Sequence, residues 1–263
     1  MDIESDKNSK IKDLVKLLDK SRNRKTQRKF IVEGIQENFF ALQEKFQPLE
    51  FFIQPQIFLN SLKLPNNIKV YEVSQLVYNK IAYRKNTEGI VGVYKYKNQL
   101  VENINLPKNS FILIIESVEK PGNLGAICRT ADAFGVDVVF ICDEKTDIYN
   151  PNVIRSSVGS FFNIPIISEK KERVFEYLLK NNISVYATYM NEKAIYIQEA
   201  ELSKSCAILF GTEHSGISDF WEDKIKQNIL IPMRGKIDSL NVSNAVSIAC
   251  YEVERQRITL KNR

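Results

Sequence analysis

Short apolar segments alternate with helical segments from residue 111 to the end of the chain, and this alternation restricts the fold more than any other sequence feature. Strands are predicted at FILIIES, VDVVFIC, ISVYATY, CAILFG and NILIPM, and helices over 122–135, 151–162, 169–181 and 241–257. The pattern favours an α/β fold with a mostly parallel sheet covered by helices on both faces. Ligands of such sheets bind beyond the carboxyl ends of the strands, so we expect a functional site there.

The N-terminal part has a different pattern of strands and helices. Between residues 30 and 94, shorter apolar strands alternate with helical stretches, which predicts a separate small α/β domain. The segment that follows lacks periodicity and ends in Pro-Lys-Asn-Ser, as is typical of a linker. We therefore expect one domain over residues 1–94, a linker over 95–110 and a second domain over 111–263.

Positive charge is concentrated in the N-terminal part. Residues 1–110 carry 19 lysines and arginines against 12 acidic residues, whereas residues 111–263 carry 18 against 20. The densest cluster, SRNRKTQRKF, follows KIKDLVKLLDK, whose apolar spacing is that of an amphipathic helix. Such a cluster either forms an ordinary solvated surface or binds a polyanion by releasing counterions. The asymmetry indicates a polyanionic partner for the N-terminal part.

Composition argues against several classes of protein. The apolar runs are far shorter than a bilayer span, and the start, MDIESDKNSK, lacks the apolar core of a signal peptide. We therefore expect a cytoplasmic protein without a membrane partner. The cysteines at 128, 142, 206 and 250 form no CxxC pair, which predicts buried free thiols. The chain has a single histidine, and no metal site is expected.

Three segments that follow predicted strands are rich in glycine and small polar residues. They are ESVEKPGNLGAICRTADAFG (116–135), FGTEHSGIS (210–218) and IPMRGKIDSLNVSNAVSI (231–248). The first contains GxxG rather than GxGxxG, which argues against a dinucleotide-binding dehydrogenase. The polar cluster of the third opens a helix, where it serves as a cap, as a ligand seat, or as both.

These three segments resemble motifs 1, 2 and 3 of the SpoU/TrmH family of RNA ribose 2′-O-methyltransferases, in the knotted SPOUT class. The first motif is met by Asn123, Gly125, Arg129 and Gly135, and the second by Gly211, Glu213 and Gly216. The third motif is met by Ile231, Pro232, Met233, Gly235, Ser239, Leu240, Asn241 and Ser243. A further family segment is met by Arg155, Ser156, Gly159 and Pro165. Residues 10–94 are more loosely similar to a ribosomal-protein-like substrate-recognition domain.

The resemblance implies a fold, an assembly and a reaction. The fold is a parallel sheet with a deep C-terminal trefoil knot, and the assembly is a homodimer with each site near the subunit interface. The reaction is methyl transfer from S-adenosyl-L-methionine to a ribose 2′-hydroxyl, and it needs no metal. A separate recognition domain favours ribosomal RNA over transfer RNA as the partner. The alternatives are a transfer-RNA 2′-O-methyltransferase and an inactive RNA-binding ribosome-assembly factor.

The resemblance also assigns roles to residues. The catalytic residues are Asn123, Arg129, Glu213, Ser239 and Asn241. The cofactor-binding residues are Gly211, Thr212, Gly216, Ile231, Met233, Ser239 and Leu240. Arg129 serves either as a general base or as a clamp on the phosphate and the developing alkoxide, and Glu213 holds Arg129 or Asn123 in place. His214 departs from the family, which often has glycine there. Ser243 and Asn244 are expected to cap the last helix.

Candidate RNA contacts come mainly from the basic N-terminal part. They are Arg22, Arg24, Lys25, Arg28 and Arg84, together with Arg155 and Ser156 of the later segment. The charges alone do not distinguish double-stranded RNA, which is read by shape and backbone, from loops, which are read by base stacking.

Overall fold

The computed structural model describes residues 2–59, 62–83, 88–211, 216–237 and 239–261. The chain forms two compact units, Met1–Asn98 with Tyr149–Asn163, and Gln99–Ile148 with Ile164–Arg263. The first unit thus includes Tyr149–Asn163, a segment that lies after the predicted linker. The predicted division of the chain at residues 94 and 111 stays a prediction.

Helices and strands alternate through both units. The helices are α1 (Ser9–Asp19), α2 (Ser21–Gln27), α3 (Ile35–Gln43), α4 (Pro55–Phe58), α5 (Gln75–Ile81), α6 (Pro121–Ala133), α7 (Pro151–Ser157), α8 (Ser160–Asn163), α9 (Lys171–Lys180) and α10 (Val242–Lys261). The strands are β1 (Lys29–Glu33), β2 (Pro48–Ile53), β3 (Lys69–Glu72), β4 (Ile90–Lys95), β5 (Phe111–Glu116), β6 (Val138–Cys142), β7 (Ile166–Ser168), β8 (Ser184–Thr188), β9 (Ile195–Tyr196), β10 (Cys206–Phe210) and β11 (Gln227–Leu230). None of the described helices is both long enough and apolar enough to cross a membrane.

The first unit is built on a four-stranded mixed sheet in the order β1-β4-β2-β3. β4 pairs antiparallel with β1 and β2, and β3 pairs parallel with β2. Consecutive residues of β1 are buried because both faces of the sheet are covered. Ile31 packs in the cluster formed with α1 and α5, whereas the ring of Phe30 lies 4.6 Å from that of Tyr149. The returning segment Tyr149–Asn163 therefore completes the core of this unit.

A glycine lets the returning segment lie close to α3. Gly159 has φ +88°, and a Cβ placed on it would come within 2.4 Å of the Phe40 ring. A larger residue would meet both the ring and an unfavourable backbone conformation.

The structure corrects one predicted RNA contact, Arg24. Its side chain is only 1% exposed. The guanidinium donates hydrogen bonds to the backbone carbonyls of Leu17 (2.7 Å) and Leu18 (3.0 Å), at the end of α1. These carbonyls lack intrahelical partners, and a buried cation satisfies them well. Arg24 thus holds α1 to α2 and does not face a phosphate.

The second unit contains a seven-stranded sheet in the order β7-β6-β5-β10-β8-β11-β9. Every neighbouring pair in it is parallel, which confirms the mostly parallel sheet expected from the sequence. β5, β6 and β10 are buried along their whole length, as strands covered on both faces must be. The knot implied by the resemblance concerns the path of the chain through its own loop and stays a prediction.

The cysteines are free and buried, as predicted. Burial raises the pKa of Cys206 to about 11 and the pKa values of Cys128 and Cys250 to about 12. Burial also raises the pKa of Cys142. These side chains serve as small apolar groups of the core.

We predict that Arg24→Met destabilises the protein by about 1.5–3 kcal/mol, because hydrogen bonds from a buried cation to two carbonyls are lost. The free energy of unfolding in urea, followed by far-ultraviolet circular dichroism, measures the loss. Arg22→Met, at an exposed position two residues earlier, is the matched control and should change stability by less than about 0.5 kcal/mol. Equal stability of the two variants would contradict the role given to Arg24.

Candidate active site

A cavity of about 350 Å³ opens in the second unit where several parallel strands end. Thr188 is the last residue of β8, Phe210 is the last residue of β10, and Ile231 follows β11 directly; all three line the cavity. The strands are parallel, so their carboxyl ends meet at one edge of the sheet, where ligands of α/β proteins bind.

Residues of the second and third motifs meet in this cavity. Of the predicted cofactor contacts, those that line it are Gly211, Ile231, Met233, Ser239 and Leu240. Gly216 lies behind Gly211, and Thr212 falls outside the described residues. Positions 29 residues apart in sequence, Gly211 and Leu240, thus reach the same space. The cofactor roles themselves stay predictions.

The contact between Gly211 and Gly216 leaves no room for a side chain. A Cβ on Gly211 would lie 2.0 Å from the carbonyl oxygen of Gly216 and 2.6 Å from the Ile217 nitrogen. Gly216 has φ +67°, and a Cβ on it would lie 2.8 Å from the ring of Tyr189. Backbone therefore packs directly on backbone beneath the cavity, as only glycine permits.

Sequence reasoning missed one wall of the cavity. Tyr189 and Met190 follow the end of β8, and Tyr196 ends β9; all three line the cavity. The signal was present, because the segment ISVYATY was recognised as a strand. The site was predicted at the three polar junctions, and this aromatic strand end has none of their glycines.

Asn241 joins the third motif to the first. Its side-chain amide nitrogen donates to Oδ1 of Asn123 at 3.1 Å. Its own Oδ1 accepts from the backbone nitrogen of Ser243 (2.9 Å) and from the Ser243 hydroxyl (2.7 Å). A side-chain oxygen that accepts from the second helical nitrogen is the mark of an N-cap.

This geometry answers whether the polar cluster caps a helix or seats a ligand. Asn241 is the cap, and the expectation that Ser243 and Asn244 cap α10 is wrong. Ser243 lies inside the helix and donates to the cap, and the backbone nitrogen of Asn244 bonds to the Asn241 carbonyl at 2.9 Å. The same asparagine also bonds to the first motif. It therefore caps the helix and joins the two motifs.

The first and third motifs are carried by packed helices, α6 and α10. Besides the asparagine pair, the hydroxyls of Thr130 and Ser247 meet at 2.9 Å along this contact. Arg129 lies on α6 six residues after Asn123, about 9 Å along the helix axis. It is exposed, and its guanidinium makes no hydrogen bond or ion pair within the described part of the chain. The structure thus brings Asn123 and Asn241 together and leaves Arg129 facing solvent.

Two of the predicted site residues, Thr212 and Glu213, lie outside the described residues, and so does the unusual His214 beside them. The expected support of Arg129 or Asn123 by Glu213 therefore stays a prediction.

The remaining RNA candidates lie in the first unit. Arg22, Lys25 and Arg28 are exposed, and the Arg28 guanidinium stands 5.6 Å from the ring centre of Tyr96 and bonds to Asn98. This cluster keeps its charge at the surface, as an RNA contact requires. Arg84 lies outside the described residues.

Arg155 and Ser156 are held within the first unit. The Arg155 guanidinium donates to Oδ1 of Asn152 at 2.7 and 3.2 Å and stacks over Tyr83, 5.5 Å from its centre. The Ser156 hydroxyl donates to the Asn152 carbonyl at 2.5 Å. Arg155 is half-buried, and the Ser156 hydroxyl is already used within its helix.

Two family models match this chain. Residues 110–251 match the SpoU rRNA methylase family, and residues 8–92 match the MRM3-like substrate binding domain. The 23S rRNA (guanosine(2553)-2′-O)-methyltransferase RlmP of Bacillus subtilis is 31% identical over 95% of this chain and 98% of its own.

Solved structures agree with this relationship. An RNA 2′-O ribose methyltransferase is 31% identical, superposes with a TM-score of 0.83 and covers 98% of this chain and 100% of its own. An AdoMet-bound rRNA methyltransferase from Sinorhizobium meliloti is 26% identical, with a TM-score of 0.87, over 96% of this chain and 98% of its own.

We predict that Asn123 and Asn241 are coupled in stability by about 0.5–1.5 kcal/mol, the usual net worth of one hydrogen bond. A double-mutant cycle of Asn123→Ala and Asn241→Ala, unfolded in urea and followed by fluorescence of the sole tryptophan, measures it. Asn241→Ala alone should cost about 0.5–2 kcal/mol, because the cap is lost. Asn244→Ala, at an exposed position three residues after the cap, is the control, because it leaves the side-chain hydrogen bonds of Asn241 in place. Additive single effects would contradict the pairing.

Proposed function

This chain belongs to the SpoU rRNA methylase family, and we propose that it methylates a ribose 2′-hydroxyl of ribosomal RNA. It is an RNA 2′-O-ribose methyltransferase that uses S-adenosyl-L-methionine. The observation that carries the proposal is local: Asn241 of the third motif bonds to Asn123 of the first, and Ser239 and Leu240, just before Asn241, line the cavity at the strand ends.

Ribosomal RNA fits this chain better than transfer RNA as the substrate. The relative that acts on 23S rRNA matches nearly the whole chain, including the first unit. That unit matches a substrate-binding domain and carries the exposed cluster of Arg22, Lys25 and Arg28. Ribosomal RNA is an extended polyanion that a separate basic domain can hold while the second unit performs the chemistry.

The cavity suits S-adenosyl-L-methionine. Its volume of about 350 Å³ lies in the range of about 300–1,000 Å³ that is usual for small-molecule sites. Gly211, Ile231 and Leu240 offer backbone groups and apolar surface to an adenine. The aromatic rings of Tyr189 and Tyr196 lie in the same wall, and aromatic faces attract a cationic sulfonium. When bound, this cofactor supplies an electrophilic methyl group with a built-in leaving group.

The chain's residues then need to position the ribose and manage the charge that develops on its oxygen. The Asn123 side-chain oxygen accepts from Asn241, and its amide nitrogen, which makes no hydrogen bond within the described part of the chain, remains as a donor. We assign it to the ribose or its phosphate. Holding the hydroxyl close to the methyl donor is the larger part of such catalysis.

Arg129 acts as the clamp on the target phosphate and the developing 2′-alkoxide. Its guanidinium is exposed and unpaired within the described part of the chain, so it is ready for an anionic ligand. A guanidinium is a poor base at neutral pH, but it stabilises an oxyanion well. Ser239 and Glu213 complete the proposed site.

We also propose that the protein works as a homodimer through α10. One face of this helix is buried against the second unit, but Ile248 (40%), Tyr251 (59%) and Ile258 (47%) are exposed on another. Exposed apolar residues at helical spacing are typical of a protein–protein interface. A partner seated here would lie beside α6, which carries Arg129. We likewise propose that the protein is cytoplasmic, as expected from its sequence.

We predict that Arg129→Ala lowers the rate of RNA methylation about 10²–10³-fold, because a charge-stabilising group is removed from the transition state. Radiolabelled methyl transfer to ribosomal RNA measures the rate, and calorimetry measures cofactor affinity, which should stay unchanged. Arg129→Lys keeps the charge without the planar fork and should fall between the two. Mapping of 2′-O-methyl positions in RNA from cells with and without the protein tests the reaction itself. An unchanged methylation map would overturn the proposed substrate.

We predict that Tyr251→Glu converts a dimer into a monomer in sedimentation velocity, because a charge would be buried in the apolar interface. Leu76→Glu, at a comparably exposed apolar position of the first unit (64% exposed), is the matched control and should leave the mass unchanged. A native protein that sediments as a monomer at micromolar concentration would refute the dimer.

A further inference from the structure

A buried carboxylate stands at the end of β5, the strand that leads into the first motif. Glu116 is the last residue of β5 and is 3% exposed. A carboxylate is almost never buried unless it is paired and hydrogen-bonded, because removing its charge from water is costly. Glu116 belongs neither to the residues that line the cavity nor to the asparagine pair. Its burial therefore requires another explanation.

The carboxylate accepts three hydrogen bonds from the segment that follows Gly216. Its Oε2 accepts from the backbone nitrogen of Ser218 at 2.8 Å, and its Oε1 accepts from the Ser218 hydroxyl at 2.7 Å. Oε1 also accepts from the indole nitrogen of Trp221 at 3.2 Å. Since all of these partners are donors, the site needs a group that only accepts, which is a carboxylate rather than an amide.

A cation balances the buried charge. The Lys171 ammonium lies 3.6 Å from Oε1 of Glu116, 3.1 Å from the Ser218 hydroxyl and 2.9 Å from Oδ2 of Asp143. The ring of Phe220 lies 5.8 Å from the same ammonium. Lys171 begins α9, so four separate segments of the second unit meet around one carboxylate.

The segment held by Glu116 forms the support of the cavity. The Gly216–Ile217 peptide, next to Ser218, packs against Gly211, where a Cβ would lie only 2.0 Å from the Gly216 oxygen. Gly211 lines the cavity. The carboxylate thus acts on the cavity through Ser218 and two backbone contacts without touching it.

We propose that Glu116 is a positioning residue for methyl transfer, which holds the Gly216–Ser218 turn so that Gly211 keeps the cavity in its cofactor-binding shape. The inference rests on the proposed function, because it takes the cavity as the cofactor site. It assigns Glu116 no contact with the cofactor or the RNA.

The test is Glu116→Gln, which keeps the size and removes one acceptor. An amide N–H then faces a donor of Ser218 or Trp221. We expect the dissociation constant and the KM for S-adenosyl-L-methionine to rise about ten- to hundredfold, the effect of losing a hydrogen bond to a charged group. The KM for RNA should stay within twofold of the native value. Calorimetry measures cofactor binding without RNA, and steady-state methyl transfer gives both KM values.

Glu176→Gln makes the same chemical change at an exposed position of α9 in the same unit, and it should leave all constants unchanged. Native cofactor affinity in folded Glu116→Gln would overturn the inference, as would an equal rise in both KM values. If native protein binds the cofactor but methylates no RNA, the proposed function fails, while the calorimetric comparison still decides the role of Glu116.

A second variant covers the case in which Glu116→Gln does not fold. Trp221 is the sole tryptophan and is fully buried, so a red-shifted emission would reveal unfolding. Ser218→Ala removes the hydroxyl, which donates to Glu116 and accepts from Lys171, and keeps the backbone bond to Oε2. It should raise the dissociation constant of the cofactor about threefold to tenfold. Unchanged affinity in folded Ser218→Ala would then overturn the inference.

Discussion

The parallel pairing of β5, β10, β8 and β11 is the constraint on which the rest of the second unit depends. Parallel strands end at the same edge, so segments that begin after residues 116, 188, 210 and 230 open into one region. The strands themselves are buried on both faces and offer no surface for chemistry. Catalytic and binding groups can therefore stand only at that edge and on the helices beside it.

The sequence predicts this architecture well because its signals are local. Apolar runs of strand length alternate with helical spacing, and each strand of the second unit named from the sequence is present. It predicts less where the outcome depends on a distant partner. Arg24 looks like any other member of a basic cluster, and only the position of the Leu17 and Leu18 carbonyls turns it into a buried helix cap. The segment after residue 148 reads as part of the second domain, yet its aromatic residues complete the core of the first unit.

In the candidate site too, the sequence predicts the features that have local signals and misses those that depend on distant partners. Motif residues such as Gly211, Ile231 and Leu240 were found from sequence and line one cavity, but the aromatic wall after β8 was not. Asn241 was expected beside the reacting centre and Ser243 at the helix cap. In the structure one asparagine caps the helix and bonds to Asn123 as well, which composition alone cannot reveal. Glu116 was invisible for a related reason, since its donors lie about a hundred residues away.

The glycine contact beneath the cavity has a consequence for how such an enzyme can diverge. Gly211 packs on the Gly216–Ile217 backbone with no spare volume, so it cannot accept a side chain while that backbone stays in place. A single substitution at Gly211 therefore cannot reshape the pocket. Variation in ligand preference must instead accumulate at lining positions whose side chains meet the ligand space, such as Tyr189, Met190 and Tyr196.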